Sequence, residues 1–434
     1  MFSFYSNRKS EVVLKTFIKK FTEHLYSAAL VVRSLNPFVD VLYIYLVTYL
    51  KNHRVKKLSP ISSKTFCSLF GGKITVVEKN KNRIVYEPPY YPETNGCEHT
   101  FNSKEIYILE LNDVFVHGGT GLIISGNHVL TDVCENDVEN RIKYTFGAIR
   151  RGNKKNFYLE VAKDEDEVTE AINLCGLAAF NYYHLTFEIL SRLEYVRQYL
   201  DDNPDTVVLI DEDAKKYPQF VDLVDMILKG ASVRYVSQYR MVHCKKMIYP
   251  SMNTWMPLEL KNKNDFRISD NLIAQSAVDN IRKCTQELRI QKEKGKKVFI
   301  SRRKAAFSRI VNEDKVIELF EKAGYLIVCT EKLDYDEQVK LFSSASCIVG
   351  ASGAALTNLV YCNPKTVFGC IIPKKYEFCI YSSIAYMVGC NCLFFDADVL
   401  KQGKEISSDQ YLVDLSKCKE YISALDKMIK GSGL

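Results

Sequence analysis

The chain has 434 residues, and at about 150 residues per domain it divides into two or three domains. Apolar residues make up 47% and charged residues 26%, which excludes a largely disordered, collagenous or coiled-coil protein. Lysine and arginine number 59 against 52 acidic residues, a net +7 that suits phosphate groups or an anionic surface without marking a nucleic-acid binder.

Residues 1–64 read as an N-terminal helical region. No cleavable signal peptide is evident, because the first apolar stretch starts late and no A-x-A site follows it. Leu25 to Leu50 is rich in apolar residues but is interrupted by Arg33, Pro37 and Asp40, and VLYIYLVTYL at 41–50 is half of a bilayer span. Lys15, Lys19 and Lys20 precede it; Lys51, Arg54, Lys56 and Lys57 follow. That pattern fits a helix lying at the inner face of an anionic membrane, and equally a pair of core helices broken at Pro37.

Residues 65–155 read as a β-rich accessory region: KITVVEK, IYILEL, VFVHGG, GLIIS, a Gly126-Asn127 turn and HVLTD. From 156 to 280, helical stretches alternate with short apolar strands, which predicts an α/β unit. Its first helix is expected over 179–200, followed by strand TVVLI, a helix near 219–229, and strands SVRYV and KKMIYP. The rhythm repeats over 281–434: strand KKVFIS, helix 312–323, strand YLIVC, helix 334–344, strand CIVG, the loop ASGAAL, then TVFGCI and NCLFF. Two Rossmann-like units imply a cleft between them, with ligands beyond the carboxyl ends of the strands.

Chemistry is sought at those strand ends. Arg302, Arg303 and Arg309 follow a buried strand, and guanidinium forks suit a diphosphate. The small residues Ser352, Gly353, Ala354 and Ala355 lead into a helix containing Asn358, whose N-terminus would favour an anion. Neither a G-x-G-x-x-G fingerprint nor a Walker lysine is present. Asp334 and Glu337 have capping-box spacing, and the same carboxylate could also accept hydrogen bonds from a ribose. In the middle unit Asn181, Tyr182 and Tyr183 lead to His184 and Glu188, four apart, where a histidine could deprotonate an acceptor hydroxyl. Asp211-Glu212-Asp213 and Asp396-Ala397-Asp398 are weaker candidates for metal, and no metal or other cofactor is expected. The seven histidines form no H-x-x-x-H or H-E-x-x-H pattern, and the fourteen cysteines are scattered, as reduced thiols of a cytoplasmic chain would be.

Six segments in order resemble glycosyltransferase family 61: N-Y-Y-H-x-x-x-E at 181–188, K-V-F-I-S-R-R at 297–303, S-R-I-V-N-E at 308–313, G-Y-L-I-V at 324–328, D-E-Q-V-K-L-F at 336–342 and I-V-G-A-S-G-A-A-L-T-N-L-V at 348–360. The resemblance extends over roughly 110–375 and is densest from 297 to 364. It implies a GT-B fold and an inverting, metal-independent transfer from a nucleotide-diphosphate sugar to a hydroxyl of a glycan or lipid-linked glycan, in capsular or surface polysaccharide biosynthesis. Arg302, Arg303 and Arg309 would then hold the diphosphate beside Ser352–Ala355, Glu337 and Gln338 would face the ribose or base, and His184 and Glu188 the acceptor. Many members carry histidine where this chain has Ser352. That departure leaves a rival reading, a catalytically inactive GT-B-like scaffold in a polysaccharide-assembly complex.

Overall fold

Short apolar runs separated by amphipathic helices bury both faces of a parallel sheet, and the chain builds two such arrangements. The computed structural model describes residues 37–79, 82–137, 139–257, 259–290, 295–303, 308–403 and 406–432. It is an α/β structure. In the larger sheet, Ser232–Val236, Val207–Asp211, Glu165–Asn173 and Met241–Pro250 lie side by side in that order, all parallel. In the second sheet the order is Leu326–Val328, Lys297–Ile300, Cys347–Ala351, Val367–Ile371 and Asn391–Phe395, again all parallel.

Each sheet reverses its winding once. The chain leaves Glu165–Asn173 toward one edge and returns on its other side as Met241–Pro250. Likewise it leaves Lys297–Ile300 toward Leu326–Val328 and returns as Cys347–Ala351. At such a reversal the loops diverge to opposite faces, so a crevice opens beyond the strand ends.

The β-rich segment does not stand apart. Ile106–His117 pairs antiparallel with Met241–Pro250, and the hairpin Ile123–Ser125/His128–Leu130 continues the same sheet, so the expected boundary near 155 falls inside one continuous sheet. IYILEL and VFVHGG, read as two strands, are one twelve-residue strand, because the long partner Met241–Pro250 holds it in register across Asn112 and Asp113. The Gly126-Asn127 turn is where the sequence puts it, with Ser125 opposite His128 and Gly126 at φ 55°.

Residues 53–61 fall in the expected helical region but form a strand between Phe157–Ala162 and His128–Leu130. Before it, Pro37–Leu50 is a single helix, and Tyr45, Leu46, Tyr49 and Leu50 on it are exposed. The basic residues Lys15, Lys19 and Lys20 lie outside the described residues. Among the described residues no helix is long and apolar enough to cross a membrane. All fourteen cysteines are free thiols.

A second hairpin, Asn82–Glu87 with Cys97–Asn102, packs on the helix Ile380–Val388 of the second unit. Ser383 Oγ accepts from Tyr86 N at 3.1 Å, Ser382 Oγ donates to Tyr86 O at 2.6 Å, and the Tyr86 and Tyr386 rings stack at 4.9 Å. The β-rich segment therefore touches both sheets.

His117, at the end of its strand, is wholly buried: Nε2 donates to the Glu160 carbonyl at 3.0 Å and Nδ1 accepts from the Thr120 hydroxyl at 2.9 Å. Burial pushes its pKa down from 6.5 to about 4. Between those values the unfolded chain binds the proton and the folded chain does not. This stabilisation is complete above pH 6.5 and is lost as pH falls toward 4, by about 3 kcal/mol in total. Urea unfolding of the native chain should lose correspondingly more stability between pH 7 and 4.5 than unfolding of His117→Gln; parallel curves would reject the assignment.

Candidate active site

The reversal point of the second sheet gathers the arginines. Ser301 follows Lys297–Ile300 and is buried, and from it the chain turns so that Arg302 points inward while Arg303 points out. Arg303 is exposed and pairs with Asp314 at 2.8 Å, so it is not part of the expected trio. Arg309 comes back to the crevice: its Nη1 donates to Tyr411 Oη at 3.0 Å and lies 3.4 Å from Ser352 Oγ. Its Nε is buried without a hydrogen-bond partner. Burial, and then the charge of Arg309, push the Arg302 guanidinium below its ordinary pKa. Two cations acting on each other, Arg309 buried and Arg302 half-buried, with Arg309 Nε unfilled, form an acceptor-seeking site.

Backbone shape allows that approach. A Cβ on Gly353 would lie against Arg302 Nη1, so the guanidinium occupies the space that glycine leaves. Buried Glu313 holds the loop, a role the sequence did not disclose. Its Oε1 accepts from Ser301 Oγ at 3.0 Å and Arg302 N at 2.7 Å, and its Oε2 accepts from Ser308 Oγ at 2.8 Å. Ala354 and Ala355 open a 3₁₀ helix, Ala354–Tyr361, where an α-helix was expected, and Gly353 supplies no side-chain cap.

Other expected donor residues are engaged elsewhere. Asp334 Oδ1 accepts from Glu337 N at 2.8 Å and Glu337 Oε2 from Asp334 N at 3.0 Å, closing the capping box. Gln338 and Asn358 are buried and bound together: Asn358 Nδ2 donates to Gln338 Oε1 at 2.8 Å, and Gln338 Nε2 donates to the carbonyls of Thr330 and Leu333 at 3.2 Å. Their amides hold the packing, because no free polar edge is left to face a ribose.

Across from the arginines, the expected helix 179–200 is broken into a π-helical segment His184–Ile189, a 3₁₀ segment Leu190–Val196 and an α-helical turn Arg197–Asp202. π-turns recur at functional positions because they widen the helix and re-aim a side chain. His184 Nδ1 donates to Glu188 Oε2 at 2.7 Å, and both residues are buried. Glu188 Oε1 has no partner. Asn181 Oδ1 accepts from Tyr183 N at 3.0 Å and so caps the segment. Tyr182, expected beside the acceptor, instead joins the two units: its hydroxyl donates to Asn358 Oδ1 at 2.7 Å. Tyr183 packs edge-on to His184 at 5.3 Å, with its hydroxyl buried and unpartnered. Burial first, then the nearby charges of Glu188 and Tyr381, raise the Tyr183 phenol well above its ordinary range. Tyr381 in turn feels Arg309 and Arg302, so Tyr183 and Tyr381 link the histidine pair to the arginines. No local pattern marks Tyr381 or Tyr411.

The acidic strand-end loops have structural duties. Asp211 is buried and accepts from Gly176 N at 2.7 Å and from Gly119 N, clamping two loops. Asp396 Oδ1 accepts from Lys374 N at 2.8 Å. Arg192 was also missed, although it stands four residues after Glu188. It is buried and its guanidinium donates to the carbonyls of Ile189, Leu174, Cys175 and Pro250, tying together the strand ends at the reversal of the larger sheet.

A family model described as glycosyltransferase 61 matches residues 182–369, starting later than the expected resemblance. Among solved structures the chain is similar to the bacterial iron-containing dodecameric glycosyltransferase TibC from enterotoxigenic E. coli H10407. That alignment has 9% identity over 83% of this chain and 93% of that chain, with a TM-score of 0.23, a likeness too slight to carry an argument. No curated protein matches. Residues 182–369 are thus similar to glycosyltransferase family 61 over somewhat less than half of the chain, and that match supports a glycosyltransferase.

Proposed function

We propose that the protein is an inverting glycosyltransferase that moves a sugar from a nucleotide-diphosphate donor to a hydroxyl of a glycan acceptor, in capsular or surface polysaccharide biosynthesis. The observation that carries the reading is the neighbouring guanidinium groups of Arg302, half-buried, and Arg309, buried, at the strand-order reversal of the second sheet, with Arg309 Nε unfilled. A diphosphate supplies the acceptor that Arg309 Nε lacks. A GT-B-like division, with residues 156–280 on the acceptor side and 281–434 on the donor side, belongs to the same reading. It is supported by the two sheets, each with its own reversal.

His184 is the base. Glu188 accepts the Nδ1 proton of His184, which fixes the tautomer whose Nε2 lone pair is available. The acceptor O–H proton passes to Nε2 as the bond from acceptor oxygen to the anomeric carbon forms. The bond from that carbon to the phosphate oxygen breaks, and the nucleoside diphosphate leaves with the electron pair, its charge met by the arginines. Peripheral membrane contact through Tyr45, Leu46, Tyr49 and Leu50 is part of the proposal, and liposome co-sedimentation at low and high salt tests it.

The test of the main reading is a thermal-shift series with UDP, GDP, CDP and ADP. A ligand bound only by the native state at a hundredfold excess over its Kd adds about 2.7 kcal/mol. At least one nucleotide is expected to raise the midpoint, and Arg302→Met should abolish the rise. A flat response to all four would reject a nucleotide-diphosphate donor.

A further inference from the structure

A cavity of about 430 Å³ lies at the reversal of the larger sheet, beyond the ends of Glu165–Asn173 and Met241–Pro250. That volume is ordinary for a small-molecule site. Tyr107, Ile123, Leu130 and Ile149 wall it from the β-rich segment, which lies outside the family match, and Trp255 closes it from beyond Met241–Pro250. Only Glu188 and its neighbours in the π/3₁₀ segment reach it from the catalytic side.

The polar inventory of its wall narrows the occupant. Arg192 spends its donors on four carbonyls, Arg83 pairs with Glu78 at 2.6 Å, Lys143 pairs with Glu259 at 2.5 Å, and Asp132 accepts from Tyr107 Oη and from Ser63 N at 2.8 Å. Most of the remaining lining side chains are aliphatic or aromatic, Leu122, Ile142, Ile149, Tyr249, Met252 and Leu272 among them. A sugar ring presents a hydroxyl on most of its carbons, and each one buried without a partner costs about 1–3 kcal/mol. A wall of this kind suits an apolar body better than a whole sugar ring.

We propose that this cavity holds an alkyl or aryl aglycone of the acceptor, with the acceptor's sugar toward the wall that Glu188 contributes. The inference rests on the transferase reading above, since that reading makes Glu188 a neighbour of the acceptor. It also gives the β-rich segment a role: the family segment supplies the chemistry, and the strands before it select the acceptor.

Trp255 is the single tryptophan of the chain and lines the cavity, with Lys104 Nζ 4.1 Å from its ring centroid, so its emission reports occupancy directly. The full chain is titrated with octyl β-glucoside below its micelle threshold and with methyl β-glucoside, exciting tryptophan alone. The octyl compound is expected to shift the emission saturably, with a Kd at least tenfold below that of the methyl compound. Leu122→Phe, which narrows the cavity, should weaken it at least tenfold at an unchanged melting midpoint; if that variant is destabilised, Met252→Asp, which puts a charge on the apolar wall at a partly exposed position, should weaken it several-fold. Equal affinity for the two glucosides, no emission change with either, or octyl binding that ignores both substitutions would overturn the proposal. The nucleotide series above is read without any acceptor, so a failure here and a failure of the transferase reading are told apart.

Discussion

Arg309→Met should lower kcat/KM by about 10²–10³-fold while leaving the melting midpoint of the ligand-free chain unchanged or raised. The first half follows from removing a buried donor aimed where charge develops on the leaving diphosphate; preorganised donors of this kind are worth about 3–4 kcal/mol. The second half follows from what Arg309 costs when no anion is bound. It is buried, it lies close enough to Arg302 for the two charges to oppose each other, and its Nε makes no hydrogen bond. Replacing such a group with an apolar one of similar length removes a desolvation penalty instead of a contact. Tyr411 loses a 3.0 Å hydrogen bond and Ser352 a longer one at 3.4 Å, which limits the gain. Arg309→Lys keeps the charge but not the fork, so its activity should fall between the two. A variant that melts several degrees lower yet keeps its turnover would make Arg309 a structural residue. Activity and midpoint measured on the same preparations decide the matter.

His184→Ala should reduce kcat by about 10²–10⁴-fold, the usual contribution of a positioned general base, with donor-induced thermal stabilisation intact. Glu188→Gln should act through the histidine. An amide can still accept from Nδ1, but it no longer stabilises the imidazolium formed during the reaction, so kcat falls, though less than in His184→Ala. If His184→Ala kept full turnover with unchanged pH dependence, the base would lie elsewhere, and Glu188, with its unpartnered Oε1, would be next to test.

The sequence by itself carried whatever depends on near neighbours. Alternating apolar runs located all five strands of the second sheet, and Asp334 with Glu337 closed the capping box that their spacing announced. The His184–Glu188 contact was legible because residues four apart stay within reach even where the helix loosens into a π-turn. Arg302 was legible as a strand-end cation for the same local reason.

Tertiary structure decided which of the candidates meet. Arg302 and Arg303 are consecutive, yet one is turned into the crevice and the other pairs with Asp314 at the surface, a choice made by Glu313 holding the loop and by Gly353 leaving room. Tyr182 and Asn358, 176 positions apart, pair with each other instead of facing a ligand. IYILEL and VFVHGG fuse into one strand because Met241–Pro250 is long enough to hold both. Length, composition and charge allowed two or three domains and a small basic excess; only the fold shows that the β-rich segment completes the larger sheet and that the arginines stand at a strand-order reversal. Periodicity and spacing record the forces along a few turns of chain, whereas a site is assembled from loops that only the completed sheets bring together.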